Sequence, residues 1–176
     1  MINNKKIAIT GHTNGIGKSL YEHFLLSNIV YGFSKSNAFD VSIKDHRQLI
    51  LKNSVECDVF INNAYNNFDD SQLHMLMEVF NMWKGLDNKL IFNISSKWTN
   101  GDNSYSKTKK LQDEFIEKHL FNLPKIINIK PGLVDTRRVK HIDRTKMKTE
   151  TVVNIIDFIL QTRSTIGITS ITFEPF

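Results

Sequence analysis

Short apolar runs alternate along the chain with longer segments in which apolar residues recur every three or four positions. The short runs predict strands at residues 5–9, 29–34, 57–61, 89–94, 126–129 and 166–173. The periodic segments predict helices at residues 18–26, 42–51, 73–83, 104–120 and 149–161. Such alternation is typical of a parallel sheet with helices on both faces. We therefore predict an α/β fold, a doubly wound parallel sheet in three α/β/α layers.

The spacing of single side chains adds expectations about three helices. Leu20, Phe24 and Leu25 are placed to share one face of the first helix, and Ser42 is placed to cap the second. In the third helix an apolar stripe indicates a face packed on the core or on another subunit: Leu73, Leu76, Met77, Phe80 and Trp83.

The sequence TGHTNGIG at residues 10–17 separates the first predicted strand from the first predicted helix. A tight glycine turn in this position brings free backbone N–H groups to the positive end of a helix. Glycine lets the backbone approach a pyrophosphate that a Cβ would block. His12 stands where a P-loop requires glycine, which excludes a nucleotide triphosphatase. The turn therefore favours a Rossmann-type sheet that binds a dinucleotide.

The composition is that of an ordinary globule, with 176 residues, 40% hydrophobic content and a net charge of +5. We predict one domain over residues 1–176. The single cysteine, Cys57, excludes an intrachain disulfide, favours a reducing compartment and is expected to be buried. We find no signal peptide and no apolar run long enough for a membrane helix, so we expect a cytoplasmic protein.

Part of the positive charge lies in a basic segment at residues 137–148. Because no aromatic residue is interleaved with these charges, we interpret the segment as a solvated face and do not expect nucleic-acid binding. Its basic members hint at an anionic substrate: Arg137, Arg138, Lys140, Arg144, Lys146 and Lys148.

Tyr105 and Lys109 are four residues apart on a predicted helix and therefore share one face. A nearby ammonium lowers the pKa of a tyrosine from its ordinary value of about 10, which makes the pair a usable acid and base. A neighbouring serine could bind a substrate carbonyl. Taken alone, the pair is equally typical of an exposed, lysine-rich helix.

Six short motifs in order resemble the short-chain dehydrogenase/reductase family, in which this chain would be an unusually short member. The glycine turn resembles TGxxxGIG, Asp40-Val41 the pair beside the adenine ring, and Asn62-Asn63-Ala64 the NNAG motif. Asn93-Ile94-Ser95-Ser96 resembles the strand with the catalytic serine, the 105–109 segment YxxxK, and the 131–136 segment PGxxxT. Together they span most of the chain.

The resemblance implies a catalytic set of Ser96, Tyr105 and Lys109 and no metal. Tyr105 would exchange a proton with the substrate oxygen, Lys109 would lower its pKa and bind the nicotinamide ribose, and Ser96 would orient the substrate. It also implies these cofactor-binding residues: Gly11, Thr13, Asn14, Gly15, Ile16, Gly17, Ser34, Lys35, Asp40, Val41, Asn63, Ala64, Tyr105, Lys109, Pro131, Gly132, Val134 and Thr136.

The chain departs from the family pattern in three places. Tyr65 replaces the glycine of NNAG, and the segment after Thr136, normally a substrate lid, is short and basic. The region between residues 63 and 96 is also short, so that Asn66, Asn67 and Asn81 are all poor fits to the family's helix asparagine. We expect the substrate to contact residues 65–70, 97–103 and 137–148.

The end of the second predicted strand indicates the form of the cofactor. An acid there would bind the ribose 2′-OH of NAD. The chain has Lys35 between Ser34 and Ser36, which suits a 2′-phosphate, although Asp40 is a competing ribose ligand and Lys35 could be merely exposed. NADP(H) is therefore favoured over NAD(H).

The sequence thus predicts an NADP(H)-dependent oxidoreductase that moves a hydride between nicotinamide and a small carbonyl or alcohol substrate. The alternative is a dinucleotide-binding sensor or scaffold without turnover. By resemblance we expect a homo-oligomer, with the helices at residues 73–83 and 111–120 as candidate faces.

Overall fold

A computed structural model describes residues 2–66, 69–163 and 165–176. Within these ranges six strands form one sheet: β1 (Lys6–Thr10), β2 (Ile29–Phe33), β3 (Val59–Asn62), β4 (Leu90–Ile94), β5 (Lys125–Pro131) and β6 (Ser170–Phe173). The α-helices in the described part are α1 (Gly15–Phe24), α2 (Lys44–Ser54), α3 (Ser71–Met82), α4 (Ser104–Lys118) and α5 (Thr149–Thr162). Short 3₁₀ helices lie at Lys35–Asn37 and Arg137–Val139.

Every strand pair in the sheet is parallel, in the order β2-β1-β3-β4-β5-β6. The predicted doubly wound α/β fold is therefore confirmed. Because β2 and β3 lie on opposite sides of β1, the chain changes direction at β1. In sheets of this kind a ligand crevice forms at the carboxyl ends of the strands, at this change of direction.

Alternate residues of the strands pack into two separate cores. Ile7 and Ile9 of β1 pack with α1 and α5, whereas Ala8 packs on the opposite face with residues of α2 and α3. Helices thus cover both faces of the sheet, as the apolar strand sequences require. The predicted stripe of α3 belongs mainly to the second core, since Leu76, Phe80 and Trp83 are buried and Met77 is exposed.

Three local predictions are wrong. Leu25 does not share the apolar face of α1, because the helix ends at Phe24 and Leu25 is exposed. Ser42 does not cap α2; its hydroxyl donates to Asp40 Oδ1 at 2.7 Å, and the residue at the cap is Ile43. The last strand begins at Ser170 rather than at residue 166, because pairing with β5 starts only at Asn128 and Ser170.

Cys57 is fully buried just before β3, as predicted. Burial raises the pKa of its thiol to about 11, which keeps the sulfur protonated and inert. Its role is therefore structural.

Candidate active site

The glycine turn between β1 and α1 adopts a backbone that favours glycine. Gly11 and Gly15 have φ angles of 72° and 53°, in the left-handed region. Gly17 packs so closely that an ideal Cβ would lie 2.2 Å from Gly11 O. Asn14, at the cap of α1, makes no side-chain hydrogen bond to the helix, so the first N–H groups of α1 are left for a ligand. The turn therefore has the geometry of an anion cradle.

Side chains from β1 and the loop after β3 hold this turn in place. Thr10 Oγ1 accepts hydrogen bonds from the backbone N–H groups of Asn63 and Ala64, both at 3.0 Å. Asn63 Nδ2 donates to Thr10 O at 3.0 Å and to Gly11 O at 3.4 Å. The second asparagine of the NNA motif therefore acts on the backbone of the turn.

A cavity of about 780 Å³ opens at the carboxyl ends of β1, β2 and β3. Its volume lies in the range of cofactor pockets. Of the predicted cofactor residues, the following line it: Gly11, Thr13, Asn14, Gly15, Ile16, Ser34, Lys35, Val41, Asn63, Ala64 and Thr136. Ser36, which the sequence places beside the 2′-phosphate, also lines it. The sequence did not identify these other lining residues as cofactor ligands: Phe39, Tyr65, Asn66, Arg137 and Arg138.

The remaining predicted cofactor residues do not line the cavity. Gly17 allows the turn to pack closely, since a Cβ there would clash with Gly11 O. Asp40 does not line the cavity itself but contacts Lys35, which does. Pro131 ends β5, while Gly132 donates its N–H to Phe173 O at 2.7 Å. Val134 is buried and forms an isolated β-bridge with Met147. This bridge holds the two ends of the basic segment together. Tyr105 and Lys109 lie behind the cavity wall.

Lys35 and Asp40, the two residues predicted to contact the 2′-position of the ribose, lie close together after β2. Lys35 Nζ lies 3.1 Å from Asp40 Oδ2, and its side chain is 66% exposed. Partial burial would raise the pKa of Asp40, but hydrogen bonds from Ser42 and the nearby Lys35 ammonium outweigh it and hold that pKa below its ordinary value. Lys35, the candidate for binding a 2′-phosphate, is thus paired with Asp40, the candidate for binding a 2′-OH.

The predicted catalytic residues come together at the end of β4. Ser96 follows β4 and is buried, and Tyr105 and Lys109 lie one turn apart on α4. The Ser96 side chain lies close enough to the Tyr105 hydroxyl to lower its pKa, and Ser96 Oγ accepts a hydrogen bond from Trp98 N at 3.0 Å. Lys109 Nζ lies 5.7 Å from the centre of the Tyr105 ring. The alternative of exposed residues on a lysine-rich helix is wrong for Lys109, which is 3% exposed.

The titration of this group differs from the prediction. Burial raises the pKa of Tyr105, and the Ser96 hydrogen bond and the Arg138 charge offset this only in part. Lys109 does not depress it; instead, burial lowers the pKa of Lys109 itself to about 7, assisted by Arg138 and opposed by Asp113. A lysine that loses its charge near neutral pH cannot stabilise a phenolate as a full cation would.

Tyr65 lies against two of the predicted catalytic side chains, Tyr105 and Lys109. Its ring meets that of Tyr105 edge to face with centroids 5.1 Å apart, and Lys109 Nζ lies 5.0 Å from its centre. The Arg138 guanidinium lies 5.0 Å above the same ring and donates to Tyr65 O at 3.1 Å. Since Tyr65 and Arg138 line the cavity, they form the wall that separates it from Tyr105.

A second arginine of the basic segment also contacts an aromatic ring. The guanidinium of Arg144 lies 5.5 Å from the centre of the Trp98 ring, in the loop after β4. The segment has no interleaved aromatic residue in sequence, yet the fold brings Tyr65 and Trp98 to it. Two of its arginines are therefore held against aromatic rings, and one of them, Arg138, lines the cavity.

Sequence reasoning missed Gln72. This residue lies in the first turn of α3, where its polar side chain suggests solvent exposure, yet it is fully buried against Lys109. Of the asparagines considered for this region, Asn66 bonds to Asp69 at 2.8 Å, Asn81 is exposed, and Asn67 lies outside the described residues. Only the fold reveals Gln72, because it arrives from a different element.

A row of buried amides continues from this point across the sheet. Asn62, Asn93 and Asn128 are paired in register on β3, β4 and β5. Asn62 Nδ2 donates to Asn93 Oδ1 at 2.9 Å, and Asn128 Nδ2 donates to Asp113 Oδ1 at 2.7 Å. Asp113 also forms an ion pair with Lys130 at 2.6 Å. Such a network fixes α4 on the sheet.

Neither a protein-family model nor a curated relative matches the sequence. Solved structures match its fold. A short chain dehydrogenase from Burkholderia cenocepacia J2315, in complex with NADP, gives a TM-score of 0.76 at 16% identity over 97% of this chain and 88% of that one. A 3-ketoacyl-(acyl-carrier-protein) reductase from Brucella melitensis, complexed with NADH, gives 0.80 at 13% identity over 98% and 97%.

A third such structure, a 4-hydroxyisoleucine dehydrogenase complexed with NADH, gives a TM-score of 0.74 at 17% identity over 97% of this chain and 96% of that one. These likenesses establish that the chain has the fold of short-chain dehydrogenase/reductase structures over nearly its whole length. The resemblance inferred from the motifs is thereby confirmed at the level of the fold.

The described residues offer no metal site and no membrane-spanning helix. There, no cluster of three or more His, Cys, Asp or Glu side chains is suited to a metal ion. No described helix combines the length and apolar character needed to cross a membrane.

Proposed function

We propose that the chain is an NADP(H)-dependent oxidoreductase that interconverts a carbonyl compound and an alcohol. The observation that carries this proposal is the convergence of Ser96, Tyr105 and Lys109 at the end of β4, beside a cavity built on the glycine turn. Fold relatives complexed with NADP or NADH support the cofactor class. The small-molecule substrate class follows from the chemistry of the three side chains.

The cavity residues fit a dinucleotide. The uncapped first turn of α1 suits the pyrophosphate, and the close approach of Asn63 to the turn leaves no room for a Cβ on Gly11, at 2.9 Å from Asn63 Nδ2. Thr136 lies over Gly15 on the opposite side of the turn. When bound, the nicotinamide supplies or accepts the hydride.

The protein side chains would manage the proton and the substrate oxygen. With its pKa raised, Tyr105 is a neutral phenol at neutral pH and is therefore ready to donate a proton to a carbonyl oxygen. Ser96 would hydrogen-bond the same oxygen and orient it. Lys109 would hold its position through its buried hydrogen bonds and keep one N–H for the cofactor ribose.

Access to these groups requires Tyr65 and Arg138 to move. Both side chains contact each other between the cavity and Tyr105, and Arg138 is exposed. We propose that the ring and the guanidinium swing aside together when the nicotinamide half of the cofactor enters. Arg138 would then lie at the edge of the opened site and favour a carbonyl compound that carries an anionic group.

Lys35 supports NADP(H) over NAD(H). Lys35 lines the cavity between Ser34 and Ser36, and its side chain is 66% exposed, so its ion pair with Asp40 is open to solvent on the lysine side and contributes little. A 2′-phosphate, with up to two negative charges, would compete with Asp40 for this ammonium. Asp40 remains the group that could bind a 2′-OH instead.

The test is a screen of carbonyl compounds in which NADPH absorbance is followed. Turnover by the wild type and a loss of roughly 10²–10⁴-fold in Tyr105→Phe, with NADPH binding retained, would support the proposal. Tyr31→Phe, on the exposed edge strand β2, is the matched control and should retain activity. Activity that survives Tyr105→Phe would exclude this mechanism.

A sensor or scaffold without turnover is the second candidate. It is favoured by the contact of Tyr65 with Tyr105 and Lys109, which leaves the catalytic side chains outside the cavity wall. A sensor would bind NADPH tightly and turn over no carbonyl compound. The Tyr65→Ala variant separates the two cases. In an enzyme the substrate would reach Tyr105 more easily and activity would rise, whereas a sensor would gain no activity.

We also propose that the chain works as one domain, in a homo-oligomer, in the cytoplasm. Exposed apolar side chains on α3 and α4, Met77 and Leu111, are the surfaces that an oligomer would cover. Sedimentation of the full chain tests the oligomer.

A further inference from the structure

The buried amide of Gln72 is fully hydrogen-bonded. Its Nε2 donates to Asn62 O at 2.9 Å and to Ile94 O at 3.0 Å. Its Oε1 accepts from Lys109 Nζ at 2.6 Å and from Gln112 Nε2 at 3.3 Å. These four bonds fix the orientation of the amide, because a flipped amide would direct an NH₂ group at an ammonium.

Two of the three N–H donors of Lys109 are bound by neutral oxygens. One is Gln72 Oε1 and the other is Ile94 O, which accepts at 2.8 Å. Ile94 O also accepts from Gln72 Nε2, so the three groups form a closed triangle at the ends of β4 and α3. The third donor of Lys109 is left for the side on which the rings of Tyr65 and Tyr105 lie.

We propose that Gln72 is the positioning residue of this site, whose neutral oxygen fixes the Lys109 ammonium on β4 and leaves one N–H for the groups beside Tyr105. The proposal concerns the site of the proposed oxidoreductase and rests on that function only as far as Lys109 serves the reaction. The link between Gln72 and Lys109 can be measured without turnover.

The neutrality of Gln72 has a chemical consequence. A buried ammonium held only by neutral acceptors lacks a counter-charge, so burial dominates and the pKa of Lys109 falls to about 7. Glutamate at the same place would supply the counter-charge and keep Lys109 a cation. Gln72 therefore lets Lys109 change charge near neutral pH.

The other charged and titratable groups around Lys109 are few in the described structure. Arg138 lowers its pKa from the basic segment, and Asp113 raises it from the next turn of α4. Tyr65 and Tyr105 face the ammonium with their rings. With its own pKa raised, Tyr105 provides no negative charge at neutral pH. No carboxylate in the described part of the chain is hydrogen-bonded to Lys109 Nζ.

The experiment is an NMR titration of the full chain with carbon-13 at the lysine ε-carbons. The signal of Lys109 is assigned by its absence in Lys109→Arg. In Gln72→Glu we expect the pKa of Lys109 to rise by roughly one to three units, because a carboxylate replaces a neutral oxygen at hydrogen-bond distance. Gln48→Glu adds the same charge on the exposed face of α2 and should leave the Lys109 signal unchanged.

A second variant keeps the proposal testable if Gln72→Glu does not fold. Gln72→Met has a similar length but offers no acceptor, so the pKa of Lys109 should fall below that of the wild type. Circular dichroism confirms that each variant is folded. A Lys109 pKa that is the same in the wild type and in any folded Gln72 variant would overturn the proposal.

Turnover adds a readout that separates the two proposals. If the wild type reduces a carbonyl compound, the pH profile of kcat in Gln72→Glu should move in the same direction as the Lys109 pKa, with little change in the KM for the carbonyl compound. If no carbonyl compound is turned over, the proposed oxidoreductase fails, while the NMR shift still decides the role of Gln72. A shift of Lys109 without any change in the kcat profile would show that Gln72 does not position Lys109 for catalysis.

Discussion

The rings of Tyr65 and Tyr105 meet edge to face, with centroids 5.1 Å apart and an interplanar angle of 89°. Such a contact contributes stability beyond simple burial. Tyr65 also lines the cavity, whereas Tyr105 does not. One aromatic contact therefore decides whether the proposed proton donor can be reached from the cofactor side.

The first prediction concerns removal of this contact. Tyr65→Ala should raise kcat/KM for a carbonyl substrate by roughly 10-fold. The reason is that the wild type must first adopt a minor conformation in which Tyr65 has moved away from Tyr105, whereas the variant need not. Steady-state kinetics with NADPH measure this effect. Tyr31→Ala removes an exposed ring from β2 and should leave kcat/KM unchanged.

The opposite outcome is informative. If Tyr65→Ala weakens NADPH binding without raising kcat/KM, the ring packs on the cofactor instead of covering Tyr105. The proposed movement of Tyr65 and Arg138 would then be wrong.

The second prediction concerns the choice of cofactor. NADPH should bind more tightly than NADH, and Lys35→Asp should abolish this preference by weakening NADPH roughly 10-fold or more, since a charge-assisted contact with the 2′-phosphate is lost. Asp40→Asn should strengthen NADPH binding, because Lys35 loses its present partner at 3.1 Å. Calorimetric titration with both cofactors measures these affinities.

Lys52→Asp makes the same charge change on the exposed face of α2 and serves as the control. It should alter NADPH and NADH binding equally and slightly, through long-range electrostatics alone. Equal affinity of the wild type for both cofactors would refute the assignment of Lys35.

The third prediction tests the close packing of the glycine turn. A Cβ on Gly17 would lie 2.2 Å from Gly11 O and 2.5 Å from Asn63 Nδ2, so the turn must shift in Gly17→Ala. We expect NADPH affinity to fall roughly 10-fold and stability to fall by about 1–3 kcal/mol. Gly167→Ala is the control, because nothing lies within 4 Å of its added Cβ. Unchanged NADPH binding by Gly17→Ala would show that the turn does not hold the cofactor.

Much of the fold could be predicted because periodicity reflects which face an element buries. The apolar spacing at 149–161 predicts α5, and Val152, Ile156 and Ile159 are indeed buried against the sheet. The first and last residues of a helix or strand depend instead on local hydrogen bonds, which periodicity does not show. Ser42 has the chemistry of a helix cap, but α2 begins one residue too late for it, with Ile43 at the cap, and the Ser42 hydroxyl donates to Asp40 Oδ1 instead.

The site could be predicted only where its residues belong to a local motif. Gly11 and Gly15 are evident from the sequence because a tight turn demands them. Gln72 gave no signal, since its burial and its bond to Lys109 arise from the packing of α3 on α4. The pKa of Tyr105 was predicted in the wrong direction because the sequence shows a nearby lysine but not its desolvation.

The fourth prediction concerns stability and pH. In the unfolded chain Lys109 holds its proton up to its ordinary pKa of 10.5, whereas in the folded chain it does so only up to about 7. Between these values the unfolded state binds more protons, so this residue makes the native state more stable as pH rises. Below pH 7 the buried charge opposes folding in full, and above the unfolded pKa the penalty vanishes.

Lys109→Met removes this pH-dependent penalty and should therefore stabilise the protein more at low pH than at high pH. Between about pH 6 and pH 9 the stabilisation should fall by about 3 kcal/mol, equivalent to roughly 5–10 °C in Tm. Thermal melts of the wild type and the variant at both pH values measure this difference. Lys110→Met changes the same charge on the exposed face of α4 and should show no such dependence. If the effect of Lys109→Met on Tm were the same at both pH values, Lys109 would keep an ordinary pKa in the fold, and its burial without a counter-charge would not control its titration.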